Sequence, residues 1–145
     1  MSNQEEVTYS PEQIKKTITM VWLGQVVGFV AIVVAGYFYF PLIEMHKRFP
    51  EYNYYFLLGG LLSGMATFFY RKHFNEVLRS NRNLPGDEFW ALVKEKMQPG
   101  IGLAELPFFV GIPAYMLSGS QQTYLILGAY SIALLFMAKP PTTKP

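Results

Sequence analysis

Four long stretches of the chain are apolar and almost free of charge, and polar segments separate them. Charged residues are absent from 17–40, 54–70 and 122–138, and the apolar stretch 100–117 carries one carboxylate, Glu105. A helix needs roughly 20 apolar residues to cross a bilayer core, with about 17 near the lower limit. These stretches also lack the regularly spaced polar face of a helix in a soluble bundle. The pattern predicts an all-α integral membrane protein with four transmembrane helices, and a soluble all-α bundle is the alternative.

Local signals mark where these helices begin and end. Ser10, Pro11 and Gln13 have the spacing of a capping box with Pro in the first helical position. Pro41 should end or kink the first helix. Apolar residues keep helical spacing from the second span into 71–78, and the segment "SGSQQT" predicts a tight turn between the third and fourth helices. We therefore expect two helical hairpins in a single membrane domain, 1–145, joined by a cytoplasmic loop at 71–99.

The loop 71–99 contains a further predicted helix. Asp87 and Glu88 precede its apolar residues and Lys94 and Lys96 follow them, an order that suits the helix dipole. The mixture of apolar and charged residues in this segment predicts a short amphipathic helix on the membrane surface, with Trp90 at the level of the lipid headgroups. A cytoplasmic helix packed against the rest of the protein is the alternative.

The distribution of Lys and Arg predicts the orientation. Ten of these residues lie in the N-terminal segment, the 71–99 loop and the C-terminal tail, whereas only Lys47 and Arg48 lie on the other side. Cytoplasmic loops carry the excess of positive charge in membrane proteins. Both termini and the long loop should therefore be cytoplasmic, and Arg71 and Lys139 should lie at the membrane interface.

Composition narrows the chemistry. The 145 residues are 51% hydrophobic and 15% charged, with a net charge of +2 and no cysteine. These values indicate no nucleic-acid partner, and without cysteine there is no disulfide, thiolate metal site or thiol catalysis. His46 and His73 are predicted on opposite sides of the membrane, so they cannot share a metal. With no phosphate-binding loop or nucleophile elbow in the sequence, we expect neither an enzyme nor a bound cofactor.

Small residues recur along three of the predicted spans. The first carries a Gly-x-x-x-Gly motif that continues into two alanines, the second carries another such motif, and the fourth contains one central glycine. They are Gly24, Gly28, Ala31, Ala35, Gly60, Gly64 and Gly128. Small residues allow helix backbones to approach closely in lipid. We expect them to form packing faces, either inside the bundle or towards a neighbouring subunit.

Glu105 is the most unusual residue in the predicted membrane region. A carboxylate at the centre of a span costs about 2.5 to 3.5 kcal/mol and less near an edge. Residues at a similar depth that could interact with it are Gln25, Thr67 and Ser131, and Arg71 or Lys139 could reach it from the interface. Three hypotheses follow: a hydrogen-bonding anchor that fixes helix packing, a contact to a partner subunit or lipid headgroup, or a protonatable group that carries ions.

The last third of the chain resembles a group of small bacterial four-helix membrane proteins. The resemblance rests on Ala104-Glu105, on the turn Leu117-Ser118-Gly119-Ser120, and on Lys139-Pro140 followed by Thr142, Thr143 and Lys144. That group is distantly similar to the proteolipid ring subunits of rotary ATPases, which are Gly-rich hairpins with one membrane carboxylate. The resemblance implies a location in the bacterial inner membrane. In ring subunits the carboxylate lies near mid-membrane, whereas Glu105 is predicted near one edge.

Two main functions are compatible with these features. The first is a small structural or accessory subunit that packs through its Gly-rich helix faces into a homo-oligomer or a larger membrane complex. The alternative is a proteolipid-like subunit that handles protons or cations through Glu105. A membrane protein that binds lipid or a small molecule is a third possibility, and it would require a cavity.

Overall fold

The structure, a computed structural model, describes residues 10–42 and 49–144. It contains four α-helices: α1 is Pro11–Tyr39, α2 is Asn53–Ser80, α3 is Gly86–Ser118 and α4 is Gln121–Met137. Short 3-10 turns occupy Phe40–Leu42 and Pro50–Tyr52. The described part of the chain has no β-strand, so the prediction of an all-α protein with four long helices is confirmed.

The start of α1 has the predicted capping box. The Gln13 amide donates to the Ser10 hydroxyl at 3.3 Å, and the Ser10 amide donates to the Gln13 side chain at 3.0 Å. Pro11 occupies the first turn, where its missing N–H leaves no helical bond unmade. At the other end the α-helix stops at Tyr39, two residues before Pro41, as expected of a residue that cannot donate a backbone hydrogen bond.

Helix α2 extends ten residues beyond the apolar stretch 54–70. Its buried face continues from Thr67 to Phe74 and Leu78, which keeps the helical spacing across the change from apolar to charged sequence. The predicted continuation of the second helix is therefore confirmed. Because the polar part of α2 packs on α3, this end of the helix is held by the protein itself.

The prediction of a separate surface helix before the third span is wrong. Gly86–Ser118 is one continuous helix of 33 residues with Pro99 inside it. Phe89 and Val93 are fully buried, and the same buried stripe continues to Ile101. The apolar side of this segment therefore packs against the rest of the protein, as the alternative interpretation proposed, and not on a lipid surface.

Helices α3 and α4 form the central hairpin of the fold. The turn between them is Gly119–Ser120, and Gly119 has a φ of 69°, a left-handed conformation that favours glycine. Ser120 then caps α4 by accepting a hydrogen bond from the Thr123 amide at 3.2 Å. The tight turn predicted from the sequence forms in this way.

Helices α1 and α2 lie on either side of this hairpin. Each contacts both α3 and α4, but within the described residues they make no contact with each other. The expected α1–α2 hairpin is therefore not a packed unit. Its absence has a physical reason: α1 hydrogen-bonds to α4 through Trp22 and the Leu135 carbonyl, at 3.0 Å, while α2 packs closely on the opposite side.

The helices alternate in direction, so the bundle has two chemically different ends. One end brings together the start of α1, the α2–α3 turn and the end of α4, and we call it the basic end. It carries ten Lys and Arg residues, namely Lys15, Lys16, Arg71, Lys72, Arg79, Arg82, Lys94, Lys96, Lys139 and Lys144. The opposite end contains the end of α1, the start of α2 and the α3–α4 turn.

Two helices, α1 and α3, are long and apolar enough to cross a membrane, and α4 is apolar but has 17 residues. Only 28% of the most apolar window of α1 is buried, against 44% for α3. The core helix of a soluble protein would be mostly buried. The apolar surfaces of these helices therefore face outwards to a large extent.

Candidate functional site

The polar residues predicted to meet around Glu105 lie in three separate places. Glu105 and Gln25 line one groove between α1 and α3. Ser131 lies between α4 and α3, and Thr67 lines a pocket between α2 and α3 together with Arg71. Lys139 is exposed at the basic end. The structure thus brings only one of the expected partners, Gln25, to the same groove as the carboxylate.

The α1–α3 groove is open at the protein surface and has a volume of about 370 Å³. Its walls are mainly apolar, and the rings of Phe29 and Phe108 meet edge to face at its floor with centroids 4.9 Å apart. Glu105 makes no hydrogen bond or ion pair with any residue in the described ranges. The side-chain oxygen of Gln25 is buried and likewise has no partner there. The groove therefore exposes one unpaired carboxylate, and a second unpaired acceptor, the Gln25 oxygen, is buried in its wall.

Ser131 is fully buried and binds the backbone of α3 rather than Glu105. Its hydroxyl accepts a hydrogen bond from the Phe108 amide at 3.0 Å. Pro107 precedes this amide and disturbs the helix locally because it cannot donate a backbone bond. Ser131 thereby joins α4 to the proline-containing turn of α3.

The pocket between α2 and α3 lies near the basic end. Thr67 is 2% exposed, and its hydroxyl oxygen has no hydrogen-bond partner among the described residues. Arg71 is half-buried one turn further along α2, and burial lowers the pKa of its guanidinium. Tyr70 closes one wall by donating to the Lys96 carbonyl at 2.6 Å. Lys96 itself pairs with Glu95 at 2.6 Å, which raises the pKa of the Lys96 amine.

The glycines of α2 and α4 lie at close contacts within the bundle. A side chain at Gly60 would meet Leu127 of α4 at 2.5 Å, and one at Gly64 would meet the ring of Tyr130. At Gly128, a methyl group would lie 2.9 Å from Val33 of α1. These three glycines therefore let α4 approach both flanking helices.

The small residues of α1 face the other way. A Cβ atom at Gly24 or Gly28 would meet no atom within 4 Å, and Ala31 and Ala35 are also exposed. The buried residues of α1, which include Trp22 and Val33, lie on the opposite side of the helix. We call the exposed strip of Gly24, Gly28, Ala31 and Ala35 the outer face of α1. It borders the groove, since Gly28 belongs to both.

Trp90 is a core residue rather than an interfacial one. It is 7% exposed and stacks edge to face with Phe89, with centroids 5.4 Å apart. The ammonium of Lys15 lies 5.6 Å from the Trp90 ring centroid, so a cation covers the ring on the side of α1. This contact joins α1 to the beginning of α3 at the basic end.

A polar cluster at the opposite end was not predicted from the sequence. The side-chain oxygen of Asn53 accepts hydrogen bonds from Thr123 at 2.6 Å and from Ser118 at 3.4 Å. Asn53 begins α2, so the cluster joins α2 to the α3–α4 turn. The only signal in the sequence was a polar residue at each helix end, which does not identify the pairing.

Among the residues described, no group of three or more His, Cys, Asp or Glu side chains is placed to hold a metal ion. No protein-family model, curated protein or solved structure shows a significant match to this chain.

Proposed function

We propose that the chain crosses a membrane four times and acts as a small accessory subunit that docks a neighbouring membrane helix on the outer face of α1. The neighbour belongs either to a second copy in a homo-oligomer or to another subunit of a larger complex. The observation that carries the proposal is the position of Gly24, Gly28, Ala31 and Ala35, which lie opposite the core with nothing packed on the two glycines.

Membrane embedding is supported by the large apolar side chains that all four helices expose. Soluble monomers rarely expose contiguous apolar patches above a few hundred Å². Here such residues occur along the apolar stretch of each helix. They include Met20, Leu23, Val27, Ile32, Val34 and Phe38 of α1, Leu58, Leu61, Leu62, Met65, Phe68 and Phe69 of α2, Leu106, Phe109 and Met116 of α3, and Leu125, Ile126 and Phe136 of α4.

The two shorter spans fit the same proposal. The apolar part of α2, 54–70, has 17 uncharged positions, and α4 also has 17 residues. About 17 residues is the lower limit for crossing the hydrocarbon core. The polar continuation of α2 and the first part of α3 then lie outside the bilayer, where they pack on each other.

The charge asymmetry supports an orientation with the basic end in the cytoplasm. Ten Lys and Arg residues lie at that end, and positive residues concentrate on the cytoplasmic side of membrane proteins. Together with the resemblance of the last third of the chain to small bacterial four-helix membrane proteins, this supports a location in the bacterial inner membrane.

Helix docking on α1 is supported by the shape and the chemistry of this surface. Small residues let a second backbone approach closely, which increases van der Waals contact in lipid. Larger side chains such as Val27 and Ile32 flank the strip and would form the walls of a shallow channel. Beside it, the carboxylate of Glu105 lines the open groove without a partner among the described residues, and a neighbouring helix can supply a hydrogen-bond donor to it. This agrees with the hypothesis that Glu105 contacts a partner.

Two measurements test the proposal. Alkaline carbonate washing should leave the protein in the membrane pellet, and gentle detergent extraction followed by mass determination should give a complex larger than one chain. Recovery of the protein in the carbonate supernatant would contradict membrane embedding. A monomeric species from native membranes, with no other subunit bound, would contradict the accessory role.

Cysteine cross-linking then locates the interface, because the chain contains no cysteine of its own. We expect Ala31→Cys and Ala35→Cys to form cross-links in the membrane, either between two copies or to a neighbouring subunit. Val34→Cys is the matched control, since Val34 is also exposed but lies roughly a quarter of a turn away. Equal cross-linking at all three positions would argue against a defined α1 interface.

A second candidate function is proton or cation handling through Glu105. The specific observation in its favour is that Glu105 lines an open groove of about 370 Å³ and has no partner within the described residues. A hydrogen-bonded packing anchor would instead be enclosed and paired. Flux through liposomes containing the purified protein, lost in Glu105→Gln, would support this function, and an unchanged flux in that variant would exclude it.

A further inference from the structure

The pocket between α2 and α3 at the basic end has a polar group that the bundle does not use. Thr67 is only 2% exposed, yet its hydroxyl has no hydrogen-bond partner among the described residues. A buried hydroxyl without a hydrogen bond is unfavourable, and most buried polar groups in proteins are paired. Thr67 borders a free space of about 10 Å³, which is about what one water-sized group needs, although neighbouring atoms cover the hydroxyl oxygen itself.

Arg71 lines the same pocket. It is the first charged residue after the uncharged stretch 54–70, so on the proposed topology it marks the boundary between hydrocarbon and headgroups. The one ion pair in the described part of the chain joins Lys96 to Glu95, and Arg71 is not in it. Its guanidinium instead lies 5.3 Å from the Phe74 ring centroid, half-buried. A half-buried guanidinium of this kind gains from an anion with oxygen acceptors.

The depths of Thr67 and Arg71 along α2 match the depths of the ester carbonyls and the phosphate of a phospholipid. Thr67 and Arg71 are four residues apart on α2, which places Thr67 about 6 Å deeper along the helix axis. In a phospholipid the ester carbonyls lie one glycerol unit deeper than the phosphate. The free space beside Thr67 admits one group of about the size of a carbonyl oxygen, and that group reaches the buried hydroxyl only when a lining side chain shifts, while the phosphate remains outside the pocket at Arg71.

We propose that this pocket binds an anionic phospholipid of the leaflet at the basic end, with its phosphate on Arg71 and an ester carbonyl accepting a hydrogen bond from Thr67. The acyl chains then extend over the apolar surface of α2, beginning at the exposed Phe68, which is the i, i+3 neighbour of Arg71 on the deeper side. The proposal rests on the membrane embedding proposed above, but not on the docking face of α1.

Net charge at this end selects an anionic headgroup over a zwitterionic one. Ten Lys and Arg residues face five described Asp and Glu residues there: Glu12, Glu76, Asp87, Glu88 and Glu95. Basic pockets between membrane helices on the cytoplasmic side bind anionic headgroups, and each nearby cation adds to the attraction. A zwitterionic lipid presents the same phosphate and esters with an added positive charge, which this end repels.

The experiment measures lipid binding by the full-length protein in detergent. Native mass spectrometry and thermal unfolding would be followed while phosphatidylglycerol, phosphatidylcholine or inorganic phosphate is added. We expect phosphatidylglycerol to bind and to raise the midpoint of unfolding, and the other two to have little effect. Equal effects of both lipids, or a full effect of inorganic phosphate alone, would overturn the proposal.

Three variants identify the site. Arg71→Gln should weaken phosphatidylglycerol binding about tenfold or more, because it removes a charge-assisted bond. Thr67→Val should also weaken binding, while the lipid-free protein stays at least as stable because an unpaired buried hydroxyl has been removed. Lys72→Gln is the matched control, since it removes an exposed cation next to Arg71 and should bind like the unaltered chain.

The failure of this proposal can be distinguished from failure of the proposed function. If Arg71→Gln and Lys72→Gln weaken binding equally, or if Thr67→Val binds normally, the lipid does not occupy this pocket even though the protein spans a membrane. If carbonate washing releases the protein, the membrane embedding itself is wrong. Circular dichroism of each variant checks that its helices are intact.

Discussion

The hydroxyl of Tyr124 donates a hydrogen bond to the backbone carbonyl of Val33 at 3.1 Å, and this bond ties the beginning of α4 to the last turns of α1. Tyr124 is 1% exposed and its ring lies against Gly36, where any side chain would collide with the phenol oxygen. Gly36 therefore provides the space that Tyr124 fills. Within the described residues α1 does not contact α2, so it is held in the bundle by contacts with α3 and α4 such as this one.

This relationship gives a first prediction. Gly36→Ala should destabilise the bundle by about 1 to 3 kcal/mol, because a rigid ring has to move to admit the methyl group. Tyr124→Phe should cost less, about 0.5 to 1.5 kcal/mol, because it removes one hydrogen bond and leaves the ring in place. Thermal unfolding in detergent measures both. A Gly36→Ala protein as stable as the original would show that α1 is free to shift away from α4.

A matched pair of glycine variants separates internal packing from docking. Gly60→Ala should destabilise the bundle, because its methyl group would lie 2.5 Å from Leu127 of α4. Gly28→Leu should leave the bundle intact, because nothing lies within 4 Å of a Cβ atom at that position, but it should abolish assembly through α1. Unfolding temperature and complex size are measured on both. Assembly that survives Gly28→Leu would contradict the docking face of α1.

Ser131 offers a test of the contact between α4 and α3. Ser131→Ala removes the acceptor of the Phe108 amide in a fully buried position, and we expect a loss of about 1 to 3 kcal/mol. Ser63→Ala is the control, because the Ser63 hydroxyl bonds only to the Gly60 carbonyl of its own helix. Urea or thermal unfolding should rank the two variants, and equal losses would mean that the interhelical bond adds nothing.

Substitution of Glu105 distinguishes the packing-anchor hypothesis from the partner-contact hypothesis for this carboxylate. A packing anchor predicts that Glu105→Leu loosens the bundle, but the structure pairs Glu105 with no described residue. We therefore expect Glu105→Leu to be as stable as the original protein or more so, and to lose assembly. Glu105→Gln should keep assembly, since an amide still accepts hydrogen bonds. A clear drop in the unfolding midpoint of Glu105→Leu would restore the anchor hypothesis.

Much of the secondary structure could be predicted because local rules act over a few residues. The capping box at Ser10 and Gln13, the stop before Pro41 and the glycine turn at Gly119 each depend on neighbouring atoms. The continuity of α3 through Pro99 could not be predicted in the same way. Proline removes one helical hydrogen bond, but Phe89 and Val93 on one side and Ile101 on the other bury a single stripe that keeps the helix together.

The pairing of helices was harder to predict, for a different reason. On α1 both faces are apolar or small, so the sequence gives no contrast between the face with Trp22 and the face with Gly24 and Gly28. The sequence did indicate small-residue packing faces, but whether each faces inwards depends on the side chains of distant helices. Gly60 lies inside because Leu127 fills the space above it, whereas nothing in the bundle fills the space above Gly28.

The two-sided arrangement of α1 and α2 has a consequence for how the chain assembles. Helix α1 is synthesised first, but its partners in the described structure are α3 and α4, which come last. Trp22 has no acceptor until Leu135 has been made, more than a hundred residues later. The two helices of the first half therefore have no interface with each other, and the native contacts of α1 can form only after α3 and α4 have been synthesised.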